Sequence, residues 1–139
     1  MRGKTIDLSK APGAKSTWDR PIPVILLWVI CEALFVTNSL QLSSRVRVFV
    51  LRLFGAQIGT DVIFRPRTRI KYPWNLRVGD RSWIGEGVWI HNQAMVDIGN
   101  DVCISQESFI TTGSHDWRHD MALKVARVTI GSGTWLGSR

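Results

Sequence analysis

Two of the chain's three histidines, His115 and His119, stand with Asp116 and Trp117 in one polar stretch, TTGSHDWRHD, while the third, His91, lies upstream. Imidazole titrates near pH ~6.5, so a neutral histidine can take the proton of a weakly acidic hydroxyl as its oxygen attacks an electrophile. General base catalysis of this kind contributes typically ~10²- to 10⁴-fold. His115 and His119 can instead both reach a metal ion, and a lone loop histidine is often structural or merely exposed. Asp116 is placed to orient the loop or a bound acceptor, with a solvated carboxylate as the even alternative; Trp117 offers an aromatic platform beside His115. Cys31 and Cys103 lack a CxxC spacing, which suits reduced thiols in a cytoplasmic protein rather than a disulfide, metal or redox site.

The element that must hold this stretch is announced by a period. Ile58, Phe64 and Ile70 are followed by Val78, Ile84 and Ile90, then by Ile98, Ile104 and Ile110, a spacing of six, six and eight that repeats every 20 residues. Neither an α-helix nor a simple hairpin has that period. Gly59, Gly79, Gly85, Gly99 and Gly131 each follow the apolar residue, the hexapeptide signature of a β-helix whose coil is three short strands around a triangular prism. The large apolar residues point inward, and Val62, Val88, Val102 and Ser108 supply a second, smaller inward set. The glycine suits a tight corner by tolerating positive φ. Segments 71–77 and 91–97 read as corner bulges. The expected core is a column that needs no helix packed against it, each large inward residue contributing very roughly 1.5 to 3 kcal/mol.

The 139 residues, 45% hydrophobic and 21% charged, fit one folded domain. Residues 1–20 read as an extended polar arm, 21–55 as an N-terminal helical region, and 56–139 as the β-helix with an insertion loop at 111–127. Pro21 and Pro23 sit where a helix can begin. The following VILLWVICEALFVTNSL is apolar nearly all round, which means burial in protein or contact with lipid. Its uncharged run Ile22–Cys31 falls well short of the ~20 residues that span a bilayer, and no signal-peptide cleavage site follows it. A second helix is predicted from Ser44 as N-cap through Phe54, stopping at Gly55, with Val46, Val50 and Phe54 on one stripe flanked by Arg45 and Arg52. The helices read as a cap on the open end of the β-helix, with peripheral membrane contact as the second reading.

The net charge of +7 is spread along the chain without a nucleic-acid motif, so nucleic acid is not the expected partner. Arg65, Arg67, Arg69 and Lys71 alternate onto one outward face, either solvated or drawing an anionic cofactor or acceptor. GSGTWLGSR stops after two turns of a fourth coil with Leu136 facing inward, which predicts a fragment whose later coils are missing and whose strand edges are unpaired.

The strings PWNLRVGDRSWIGEGVWI, VCISQESFITTGSHDW and VTIGSGTWLG, within 58–139, resemble the hexapeptide-repeat O-acetyltransferases. They look most like the colanic acid biosynthesis acetyltransferase branch, related to the maltose, galactoside and nodulation enzymes. The resemblance implies a left-handed parallel β-helix, a homotrimer, acetyl-CoA as donor, a hydroxyl of a sugar or exopolysaccharide precursor as acceptor, and no metal. It implies that Thr112-Gly113-Ser114-His115 carries the T-x-x-H base, His115. It also implies that the oxyanion donor follows the W-I-G string, here Trp135-Leu136-Gly137 and then Ser138, which makes Trp135, Gly137 and Ser138 the coenzyme-contact candidates. Where galactoside-type enzymes place an acceptor-binding Asn, this chain has Gly85 and Glu86, so that contact does not carry over. Glu86 and Asn92 remain acceptor-binding candidates with Asp116 and Trp117, though each of the first two suits a corner cap equally. Trp83, Trp89 and Trp135 precede inward residues and should face outward, more for subunit packing than sugar stacking. The rival readings are a γ-type carbonic-anhydrase-like metalloenzyme with zinc on three histidines, and a non-catalytic β-helix assembly module. The expected location is the cytoplasm, at the inner face of the membrane if the helices dock there.

Overall fold

The computed structural model describes residues 5–12 and 19–138. Its first coil contains β1 (Gln57–Ile58), β2 (Ile63–Phe64) and β3 (Arg69–Ile70); the second β4 (Leu76–Val78), β5 (Trp83–Ile84) and β6 (Trp89–His91); the third β7 (Val96–Ile98), β8 (Cys103–Ile104) and β9 (Phe109–Thr111). A hairpin of β10 (Gly113–His115) and β11 (Leu123–Val125) follows, then β12 (Val128–Ile130) and β13 (Trp135–Leu136). Three parallel sheets result: β1-β4-β7-β12, β2-β5-β8-β13 and β3-β6-β9. Ile58 pairs with Val78 and Val78 with Ile98, while Phe64, Ile84 and Ile104 stack likewise, as do Ile70, Ile90 and Ile110. The sequence period is therefore a stacking register, and this mainly β architecture is compatible with a parallel β-helix.

Phe64, Ile70, Ile84 and Ile90 are wholly buried, with Val78, Ile98, Ile104 and Ile110 nearly so; Ile58, in the first coil, is partly buried. Val62, Val88, Val102 and Ser108 are also inside, joined by Thr68 and Ser82. The bulges contribute too, since Leu76 and Val96, two residues before an inward position, are buried. The glycines act differently from the expectation. Gly59, Gly79, Gly85 and Gly99 do not have positive φ; that conformation falls on Asp61, Arg67, Arg81, Asp101, Glu107 and Gly87. A Cβ on those four glycines would lie within 2.6–2.8 Å of backbone atoms in the coil above, so close stacking excludes a side chain there.

The helical region comprises α1 (Ile22–Cys31), a π-helical continuation at Glu32–Val36, and α2 (Ser44–Leu53). Ser43 rather than Ser44 caps α2, accepting from the Val46 N–H; Ser44 instead accepts from the Phe64 N–H at 2.9 Å. The predicted stripe is also shifted, because α2 buries Arg47, Val48, Val50 and Leu51 while Val46 is exposed. Arg47 Nε donates to Val36 O at 3.1 Å, and Nη2 to Asn38 O and Gln41 O, which ties the connection between the helices.

The column does have helices against it. Trp28, Val36, Val48, Val50 and Leu51 share one core with the inward residues of the coils. Their polar neighbours close the first coil's backbone edges. Trp28 Nε1 donates to Ile70 O at 3.0 Å, the Glu32 carboxylate accepts from the Ile70 N–H at 2.7 Å, and Arg52 donates to Ile58 O and Gly59 O. Unpaired edge groups are thus satisfied by side chains. Only Trp28 of α1 is buried, and Ile22, Leu26, Leu27, Val29 and Ile30 stay exposed. Among the described residues no helix is long and apolar enough to cross a membrane. Of the arm read over 1–20, residues 1–4 and 13–18 lie outside the described residues, and Leu8–Lys10 forms a short 3-10 turn capped by Asp7.

Candidate functional site

The 111–127 insertion leaves the third coil at the end of β9. Its base is tied down by Thr112, whose N–H and hydroxyl both reach His91 O while its Oγ1 accepts from the Ala94 N–H. From that anchor β10 and β11 run antiparallel, pairing Gly113 with Val125 and His115 with Leu123. The tip is compact: the Met121 N–H donates to Asp116 O, the Asp116 N–H to Ala122 O, and Asp120 accepts from the Ala122 N–H. Met121 has φ of 61°, the left-handed conformation that lets the chain reverse there.

His115 ends β10 with an exposed ring whose Nδ1 lies 2.9 Å from the carbonyl oxygen of Met121. A carbonyl oxygen can only accept, so Nδ1 carries the hydrogen and the Nε2 lone pair of the neutral ring is free. That is the tautomer a general base requires. Asp116 does not orient this ring. It holds the hairpin instead, with Lys124 Nζ at 2.6 Å and His119 Nδ1 at 2.8 Å. The Lys124 ammonium first, then His119, keeps the Asp116 carboxyl down at about 2. Trp117 is two-thirds exposed, with the Arg118 guanidinium 5.0 Å from its ring centre.

The other expected site residues are spread over the column. Asn92 is fully buried; its Oδ1 accepts from the Tyr72 N–H, and its Nδ2 donates to Tyr72 O and Asn75 O. Asn92 thus takes the corner-capping role, the alternative that the sequence left open, with its oxygen and both amide hydrogens engaged inside the column. Glu86 pairs with Arg67 at 3.0 Å and lines a groove of about 440 Å³ on the second sheet with Arg65, Trp83, Cys103 and Trp135. Trp135 is exposed and donates through Nε1 to Ser105 Oγ at 2.9 Å. Gly137 O accepts from Ser108 Oγ at 3.1 Å. Continuing the β13–β8 register puts Ser138 above Gln106, in the turn before the third sheet, whereas the hairpin departs after that sheet. Within one chain His115 and Ser138 therefore lie at opposite ends of β9. A larger hollow, about 570 Å³, lies between α2 and the first coil, away from the hairpin.

The histidines are engaged separately: His91 Nε2 meets Lys71 Nζ at 3.1 Å, and His119 meets Asp116. Among the described residues no three His, Cys, Asp or Glu side chains gather to hold an ion. Sequence reasoning missed the Met121 carbonyl, because a backbone oxygen leaves no residue-type signal. It also missed Lys124, whose only cue was its spacing from Asp116 across the insertion.

Over 115 residues, 82% of this chain, the sequence is 38% identical to the provisionally named colanic acid biosynthesis acetyltransferase WcaF of Escherichia coli (strain K12). The same identity and coverage hold for the protein of that name from Shigella flexneri. The chain spans about 63% of the length of these relatives. No family model matches, and no solved structure matches. The resemblance to the colanic acid biosynthesis acetyltransferase branch is thereby borne out.

Proposed function

We propose that the intact protein is an O-acetyltransferase that moves acetyl from acetyl-CoA to a hydroxyl of a sugar or exopolysaccharide precursor, with His115 as general base. One observation carries this reading: the Met121 carbonyl fixes the Nδ1–H of His115 and leaves Nε2 free on an exposed hairpin strand. The names of the related proteins supply the acetyl group and the carbohydrate pathway.

In the reaction, Nε2 takes the acceptor hydroxyl proton as the oxygen attacks the thioester carbon. The carbonyl electrons move onto oxygen, and the oxyanion is met by the Ser138 N–H, a type of contact worth roughly 3 to 4 kcal/mol when well placed. Collapse re-forms the carbonyl and breaks the C–S bond, and the imidazolium returns its proton to the departing thiolate. The products are the acetyl ester and free coenzyme A. Trp135 and Gly137 flank the thioester, while Trp117 and Glu86 face the acceptor.

His115 and Ser138 stand at opposite ends of β9, which favours a site completed by a neighbouring subunit. We accordingly read the assembly as a homotrimer of left-handed β-helices, supported by the exposed Trp83 and Trp135 of the second sheet. The boundaries 1–20, 21–55 and 56–139 remain our division of the chain. The free thiols Cys31 and Cys103 favour a cytoplasmic location, and the exposed apolar face of α1 favours contact with the inner surface of the membrane.

His115→Ala should lower turnover at least about a hundredfold with the fold intact. Assay of acetyl transfer beside circular dichroism checks this, and near-normal turnover in a folded variant would exclude the role.

A further inference from the structure

The reading above leaves the outward face of the third sheet unused. The coil repeat builds two neighbouring ladders there: Arg69, Trp89 and Phe109, and beside them Lys71, His91 and Thr111. The Arg69 guanidinium sits 4.3 Å from the Trp89 ring centre, and the Trp89 and Phe109 centroids are 4.8 Å apart. His91 meets Trp89 edge-on at 5.6 Å, and Phe109, the last ring of the ladder, is more than half exposed.

The charges of this face lack the compensation seen elsewhere in the coils. Arg67 pairs with Glu86 and Glu107, Arg77 and Arg127 with Asp97, Arg81 with Asp101, and Lys124 with Asp116. Among the described residues neither Arg69 nor Lys71 has a carboxylate at ion-pair distance. Lys71 leans on neutral neighbours, the Tyr72 ring at 5.6 Å and His91 Nε2 at 3.1 Å. Burial, and secondly Lys71 itself, lowers the His91 pKa and favours the neutral imidazole that accepts from the ammonium. The Glu32 carboxylate feels the Arg69 guanidinium without forming an ion pair with it, so an exposed aromatic ring stands beside two cations that no carboxylate contacts, which suits a ligand with one apolar ring face and one oxyanion.

We propose that the Lys71–His91–Arg69 face with Phe109 is an acceptor subsite for a carbohydrate bearing an oxyanion, either carboxylate or phosphate. The sugar ring lies against Phe109, and the oxyanion takes the ammonium of Lys71 and the guanidinium of Arg69. The subsite rests on the O-acetyltransferase reading only for its place in a reaction. It lies at the foot of the catalytic hairpin, because His91 O is the acceptor for the Thr112 N–H three residues before His115.

Coenzyme A also carries phosphates, so the test must separate the two sources. The full chain is titrated by NMR with glucose, glucuronate, glucose 6-phosphate and coenzyme A. At least one oxyanion-bearing sugar should bind about tenfold more tightly than glucose and shift the His91 and Phe109 ring signals. Lys71→Gln should erase that preference while leaving glucose within about twofold, and Lys71→Arg should restore most of it. Arg69→Gln, at an exposed position, carries the same expectation should Lys71→Gln fail to fold. Equal affinity for charged and neutral sugars would overturn the proposal, as would a Lys71→Gln effect confined to coenzyme A. His115→Ala is scored by acetyl transfer and Lys71→Gln by the preference among sugars, so failure of the catalytic reading and failure of the subsite give different results.

Discussion

The capped edge of the first coil and the hairpin at the other end of the column each hold a carboxylate, and they handle it oppositely. Glu32 is largely buried against the Ile70 N–H, and that burial pushes its carboxyl up to about 7. Asp116 is largely covered by its partners on a surface hairpin, where Lys124 and His119 hold its carboxyl at about 2. At the cap, side chains satisfy backbone edges inside a shared core, so polar groups there serve closure and suffer desolvation. At the hairpin, charges and turn hydrogen bonds fix a strand that stays in solvent. The contrast explains how an exposed histidine can have a defined orientation without a core around it.

Glu32 offers the largest test of this contrast. Its folded pKa is raised, so no penalty exists below about 4.5, where both states are protonated; stability then falls as pH rises through about 7. Above that the ionised carboxylate costs roughly 3 kcal/mol. Glu32→Gln keeps an oxygen for the Ile70 N–H and removes the charge, so at pH 8 it should be more stable than the parent by an amount of that order, with a flatter pH dependence between about 4.5 and 7. Denaturant titration at several pH values checks this. A variant less stable at pH 8 would show that the ionised form is well solvated.

Asp116 should behave in the opposite sense and only locally. Its folded pKa is lowered, so its contribution is present above about 3.8 and is lost as pH falls toward about 2. Asp116→Asn should speed amide exchange in β10 and β11 by about two- to fivefold and leave Ile84 and Ile90 amides unchanged. Uniform acceleration across the coils would mean that the hairpin and column are one cooperative unit.

How far each region could be read from the residues follows the same division. The inward ladder was legible because a six-residue period is itself a register, so Phe64, Ile84 and Ile104 declared their stacking directly. The glycines were located correctly but for a different reason: the constraint comes from the next coil's backbone, which local sequence does not encode. Asn92 was ambiguous because its partners, Tyr72 and Asn75, lie a whole coil away. The N-cap of α2 falls one residue before the expected one because Ser43 and Ser44 have identical capping chemistry, and only the Phe64 N–H distinguishes them. Arg47 is buried against intuition, its head group taken by carbonyls at Val36 and Asn38. The hairpin was seen as an interruption of the period, but its antiparallel pairing depends on tip hydrogen bonds that no periodicity shows.

The central claim is that the hairpin holds His115 as the tautomer with hydrogen on Nδ1 and a free Nε2. Nitrogen-15 NMR of the imidazole, at a pH where the ring is neutral, reads this directly. The expected result is a protonated Nδ1 and a pyridine-type Nε2, with the pattern weakened in Asp116→Asn. A ring protonated at Nε2, or an even mixture of the two forms, would contradict the account, because the nitrogen needed to take the acceptor's proton would already carry one.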